Sequence, residues 1–204
     1  MVKERVNFRL SLEEKIIKYL LENKTERISI LKVAHDLNVD YKNVYQAIAR
    51  LGPELIKKEK IGNTNLIKFS FNFNEKVYLV EQKRREEILE MNKELKLALE
   101  DIKSINYPFF IVLLFGSVVK KTNNLKSDVD ICIISENKAK AKELNSKLAI
   151  FPLHLDIQEF TPEEFESMLK KKEDSVVQEI VKNNVILYGA ENYYNLVSKW
   201  MKKE

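Results

Sequence analysis

Behind Ser11, the apolar residues Leu12, Ile16, Ile17, Leu20 and Leu21 recur at helical spacing, with Glu13 and Glu14 in the first turn where the helix dipole favours them. A second helix is predicted from Ser29, with Ile30, Val33, Ala34 and Leu37 on one face and a stop at Asn38-Val39. Asp40 caps a third, whose inward stripe is Val44, Ala47, Ile48 and Leu51 and which ends at Gly52-Pro53. Two strand-like runs, 55–61 and 66–71, then flank the turn-rich Gly62-Asn63-Thr64-Asn65, as in a β-hairpin.

Residues 75–105 contain no Gly or Pro and carry Val77, Val80, Ile88, Met91, Leu95, Leu99, Ile102 and Ile105 at helical period, interrupted by Arg84. One long connector helix is the expectation. Its second half either packs onto the C-terminal domain or pairs with a twofold mate in a homodimer. Residues 109–115 form an unbroken apolar run of strand length, ending at Gly116-Ser117. Asp128-Val129-Asp130 opens a second run through Ile131, Cys132, Ile133 and Ile134. Residues 138–148 read as a helix, and 153–160 as a strand in which Leu153, Leu155 and Ile157 alternate with polar neighbours and Asp156 lies mid-strand.

That pattern carries the chemistry. Side chains alternate along a strand, so Asp128 and Asp130 project from one face, and carboxylates on a buried strand are costly unless a cation neutralises them. If the strand holding Asp156 pairs beside theirs, three carboxylates converge on a site suited to two Mg2+ ions and phosphoryl transfer. The backbone after Gly116 and the Ser117 hydroxyl are placed to hold nucleotide phosphates, with Gly116 permitting close approach.

Composition narrows the class. At about 150 residues per domain, 204 residues allow one large domain or two small ones. With 45% hydrophobic and 32% charged residues and only 4 Gly and 4 Pro, the chain suits a packed core and not disorder. No apolar run approaches the roughly 20 residues of a membrane span, and Met1 is followed by Lys3, Glu4 and Arg5 instead of a signal core, so no membrane partner is expected. Lone Cys132 excludes an internal disulfide and Cys-based zinc, and a reducing cytoplasm is the expected location. Residues 1–74 carry 14 Lys/Arg against 9 Asp/Glu, so the positive excess sits in the N-terminal third and points to a polyanion partner.

Three helices followed by a hairpin resemble a winged helix-turn-helix domain, over residues 1–74. The resemblance implies contact with double-stranded DNA through Tyr41, Lys42, Asn43, Tyr45, Gln46 and Arg50 on the outer face of the third helix, with Lys60, Asn63 and Lys68 on the wing. His35, on the second helix, is expected to pack partly buried. An apolar strand, Gly116-Ser117, then Ser127-Asp128-Val129-Asp130 about ten residues later and Asp156 on a further strand resemble the DNA polymerase beta superfamily, and within it the minimal nucleotidyltransferases. The closing stretch 176–197 is similar as well. The expected fold class is α+β: a winged helix-turn-helix (1–74), a connector (75–105) and a nucleotidyltransferase α/β domain with a mixed sheet (106–204).

The resemblance implies that Asp128, Asp130 and Asp156 bind Mg2+ and carry catalysis, that Gly116, Ser117 and Ser127 bind the nucleotide, and that ATP is the donor in transfer of AMP to an acceptor. Relatives place a basic residue and a further glycine after Gly-Ser, where this chain has Val118, Val119, Lys120 and Lys121, leaving Lys120, Lys121 or Lys126 to supply charge. Residues 106–204 leave no room for finger and thumb domains, so a macromolecular partner completes the cleft. In the resembling family some members are antitoxins that adenylylate a tyrosine of a HEPN-type toxin. The rival reading is a DNA-binding regulator whose nucleotidyltransferase fold only senses nucleotide or binds a partner. Small-molecule adenylylation of the antibiotic-modifying kind lacks the extra helical domain it needs.

Overall fold

The computed structural model describes residues 10–120, 122, 128–171 and 175–201. Ser11, Ser29 and Asp40 each accept a first-turn backbone N–H and so start α1 (Leu12–Glu22), α2 (Ile30–Asp36) and α3 (Tyr41–Leu51), Ser11 as half of a capping box with Glu14. The faces buried are those the spacing picks out: Ile16, Ile17, Leu20 and Leu21 on α1, and Val44, Ala47, Ile48 and Leu51 on α3. Asn38, at φ 51°, makes the left-handed turn between α2 and α3.

Three antiparallel strands complete this part: β1 (Ile28–Ser29), β2 (Ile56–Ile61) and β3 (Thr64–Phe69), in the order β1-β3-β2. β1 is two residues long, too short for any periodicity to announce it. The hairpin turn is tighter than the sequence suggests, because Ile61 pairs directly with Thr64 and only Gly62-Asn63 connect the strands.

The connector is two helices, not one. α4 (Glu75–Met91) and α5 (Lys93–Lys103) are separated by Asn92 at φ −131°, ψ 91°. The change of core falls within α4: Val77 and Val80 pack with α1 to α3, while Ile88 and Leu89 near its end join Leu95, Leu99 and Ile102 of α5 beneath the second sheet. Met91, expected in the buried stripe, is 61% exposed at the break.

The second sheet is built from β4 (Phe110–Phe115), followed by α6 (Gly116–Lys120), and β5 (Val129–Ser135), followed by α7 (Lys138–Leu148). β6 (Leu155–Phe160), α8 (Pro162–Leu169), α9 (Val176–Lys182), β7 (Asn184–Tyr188) and α10 (Ala190–Met201) complete it. The order is β6-β5-β4-β7, mixed as expected, with β5 and β6 parallel and β4 antiparallel to both neighbours. One face carries Phe110, Val112, Leu114, Ile131 and Ile133 onto α5 and α7. The other carries Ile111, Leu113, Cys132 and Ile134 into a core that continues through α10 to α1 and α3.

A buried polar joint crosses this shared core. Lys24 Nζ donates to Asn184 Oδ1 at 2.7 Å and lies 3.6 Å from Glu81, which pairs with Arg84 at 2.7 Å and accepts from the Tyr194 hydroxyl at 2.6 Å. Arg84 also donates to the Asn184 carbonyl at 2.8 Å. Arg84 interrupts the apolar stripe because it is paired inside the protein. Buried charges of this kind hold only while each has its partner. Asn184, Glu81 and Lys24 gave no sequence signal; Arg84 alone did, as a break in period.

Candidate active site

The parallel register aligns Asp130 with Asp156, and the antiparallel register aligns Asp130 with Phe115 and Phe115 with Asn184. Register partners share a face, so the two carboxylates stand side by side at the ends of β5 and β6, beside the end of β4. β4 stops there because Gly116, at φ 70°, turns the chain into α6.

Asp130 is half-buried, while Asp128 and Asp156 are exposed. Burial pushes the Asp130 carboxyl up from its ordinary value, and the neighbouring charges of Asp156 and then Asp128 push it further, against the Ser117 backbone N–H that it accepts. The Ser117 amide, expected from the sequence to hold phosphate, is therefore engaged by Asp130. The need for glycine at 116 also has a different cause: a Cβ there would overlap the Asp130 carboxylate itself.

β6 is an edge strand, and Asp156 near its start is open to solvent, its Oδ1 accepting from Gln158 Nε2 at 3.1 Å, so its carboxylate stays hydrated without a cation. Among the described residues, no group of three or more His, Cys, Asp or Glu is placed to hold a metal ion. Asp130 and Asp156 do suit a hard divalent cation: two adjacent oxygen donors whose mutual repulsion a cation would relieve, with Asp128 within electrostatic range.

Ser127, Lys121 and Lys126 lie outside the described residues. Lys120 is tied to Glu179 of α9 at 2.6 Å, and Val118 is buried, so the stretch after Gly116-Ser117 anchors α6. The Cys132 thiol is fully buried, and burial raises its pKa far above the thiol range, which leaves it an inert packing group. His154 is exposed and contributes its carbonyl, which accepts from the Val129 N–H at 2.8 Å.

On α3, Tyr41, Lys42, Asn43, Tyr45, Gln46 and Arg50 are all exposed, as is Lys60 on β2. Tyr41 and Tyr45 stack at 6.2 Å, Lys58 lies 5.0 Å from the centre of the Tyr45 ring, and Asn65 donates to the Tyr41 hydroxyl at 3.2 Å. Arg50 is held back by Glu13 of α1 at 2.6 Å. His35 is 87% exposed instead of partly buried, because the α2 stripe turns Val33 and Ala34 inward and leaves residue 35 outside.

Residues 95–188 match the family model of nucleotidyltransferase domains. The matched stretch runs from α5 to β7 and contains every described residue of the carboxylate site, and it supports a transferase of nucleotidyl groups with a nucleotide substrate. The curated proteins and the solved structures show no match to the chain. Among the described residues, no helix is long and apolar enough to cross a membrane.

Proposed function

We propose that the protein transfers a nucleoside monophosphate, AMP from ATP, to a protein acceptor, and that its N-terminal part binds double-stranded DNA as a winged helix-turn-helix. The observation that carries the transferase reading is the Asp130–Asp156 register pair at the end of β4, inside the stretch that matches nucleotidyltransferase domains. The DNA reading rests on α2 and α3 joined by a short turn, the β2–β3 hairpin and the exposed polar face of α3.

Asp130 and Asp156, with Asp128, would hold Mg2+, which when bound neutralises phosphate charge and polarises the α-phosphorus. The chain's own groups do the rest. Asp156, the more exposed of the pair, accepts the proton of an acceptor hydroxyl. That oxygen bonds to the α-phosphorus, and the bond from the α-phosphorus to the bridging oxygen breaks, so pyrophosphate leaves with the electron pair. Gly116 keeps the ends of β4 and β5 close enough for Asp130 to face this step. A HEPN-type toxin carrying the acceptor tyrosine would supply the second wall of the cleft, and DNA binding would let such a pair regulate its own expression.

Incubation with ATP, Mg2+ and a lysate of the native host tests this. A protein band labelled from α-labelled ATP and not from γ-labelled ATP is the expected outcome; label from the γ position alone, or none, would overturn it.

A further inference from the structure

The two edges of the catalytic sheet are treated differently. At β7, Arg84 and Arg85 of α4 donate to the carbonyls of Asn184 and Leu187, at 2.8 and 3.1 Å, so that edge is closed to another strand. At β6 the register with β5 fixes which peptide groups are used. The Val129 N–H donates to the His154 carbonyl, and the pairing Val129–Leu155 continues to Ile134–Phe160. Residues 154, 156, 158 and 160 therefore turn their peptide groups toward β5, whereas Leu155, Ile157 and Glu159 turn theirs outward. Among the described residues, nothing pairs with those outward groups.

Natural edges are usually guarded by Lys, Pro or a bulge. The six residues of β6 include none of the first two, and their pairing with β5 is regular. Their charges are Asp156 and Glu159, both exposed, and the first turn of α8 adds Glu163 and Glu164 just beyond. A second copy is a poor occupant, because two such edges would bring four carboxylates, Asp156 and Glu159 of each, onto one ladder with no basic side chain in either strand to offset them. An extended segment with basic side chains is complementary.

We propose that the outer edge of β6 receives an extended, lysine- or arginine-bearing segment of the acceptor protein as a fifth strand, which delivers its hydroxyl beside Asp156. The proposal rests on the transferase reading for its purpose. Main-chain hydrogen bonds to Leu155, Ile157 and Glu159 supply affinity, and the acidic side chains select the sequence. In the transfer step the segment's oxygen bonds to the α-phosphorus of ATP, the bond to the bridging oxygen breaks, pyrophosphate leaves with the electron pair, and Asp156 takes the hydroxyl proton.

Amide hydrogen exchange on the full-length protein, with no nucleotide present, tests the edge. The probe is a blocked hexapeptide alternating lysine with tyrosine and valine; the comparisons are the same peptide with glutamate for lysine, and a single-stranded oligonucleotide. The lysine peptide is expected to slow exchange at Leu155, Ile157 and Glu159 by about tenfold or more, while the glutamate peptide and the oligonucleotide do not. Glu159→Pro removes only an outward N–H, a change that edge strands tolerate, and is expected to abolish the slowing at Leu155 and Ile157. Unchanged exchange at these amides, slowing confined to other surfaces, or equal slowing by the glutamate peptide or the oligonucleotide would overturn the proposal, and the wild-type comparison decides even if the variant fails to fold. Because no nucleotide is involved, failure here leaves the labelling experiment standing, and failure of that experiment leaves this one readable.

Discussion

The carboxylate of Asp130 occupies the space that a side chain on residue 116 would fill, so the glycine that ends β4 and the acid near the start of β5 determine each other. Gly116 also holds φ 70°, a conformation costly for any residue with a Cβ. Gly116→Ala is expected to destabilise the protein by about 2 kcal/mol or more and to abolish transfer, because Asp130 must move. Gly52, at φ 78° and ψ 168° but with open space around it, isolates the backbone cause: Gly52→Ala should cost about 1–3 kcal/mol in urea titrations while leaving transfer intact.

Asp130 has its folded carboxyl pKa raised above the unfolded value. A group shifted in that direction favours the fold most when protonated, below its unfolded value, and that contribution is lost as pH rises through the folded value. At neutral pH Asp130 therefore strains the protein. Asp130→Asn is expected to raise the melting temperature at pH 7 while eliminating transfer, and the gain should shrink as pH falls through the carboxylate range, read from melting curves.

Lys24 titrates in the opposite sense. Burial drives its pKa down to about 7, Glu81 resists and Arg84 adds to the fall. Folding then releases a proton between about pH 7 and the unfolded lysine range, so stability rises with pH across that window, by up to about 1.4 kcal/mol per unit. Lys24→Met should show a flatter profile between about pH 7 and 9 than the wild type when both are unfolded in urea. Parallel profiles would mean that Lys24 keeps one charge state throughout.

For DNA, the ion pair between Arg50 and Glu13 divides the exposed face of α3. Lys42→Ala and Lys60→Ala should each reduce the slope of log affinity against log salt by about 1 on duplex DNA, and Arg50→Ala should leave it unchanged. Fluorescence anisotropy over a salt series checks this; an Arg50 effect equal to that of Lys42 would show that the guanidinium leaves Glu13 for phosphate.

Much of this fold was legible in the sequence where one residue reports on its own surroundings. Ser11, Ser29 and Asp40 announce their helices because a cap is a local hydrogen bond. The run 109–115 announces a buried strand because both faces of β4 are covered, so every position must be apolar. What escaped depends on partners distant in sequence. The change of core within α4, from Val80 to Ile88, joins two surfaces that the helical period cannot distinguish. The buried place of Arg84 needs Glu81 and Asn184, one of them 100 residues away. The exposure of Asp156 comes from strand order, since alternation within 153–160 is the same for an edge strand as for a central one.

The central claim is that Asp130 and Asp156 act as one unit in nucleotidyl transfer. Incorporation of α-label from ATP into the acceptor, compared among the wild type, Asp130→Asn, Asp156→Asn and the double variant, tests it most directly. Each single change should reduce the rate by about 1,000-fold or more and the double change little further, because residues acting together lose their effect together. Single variants that retain transfer, or losses that multiply in the double variant, would contradict it.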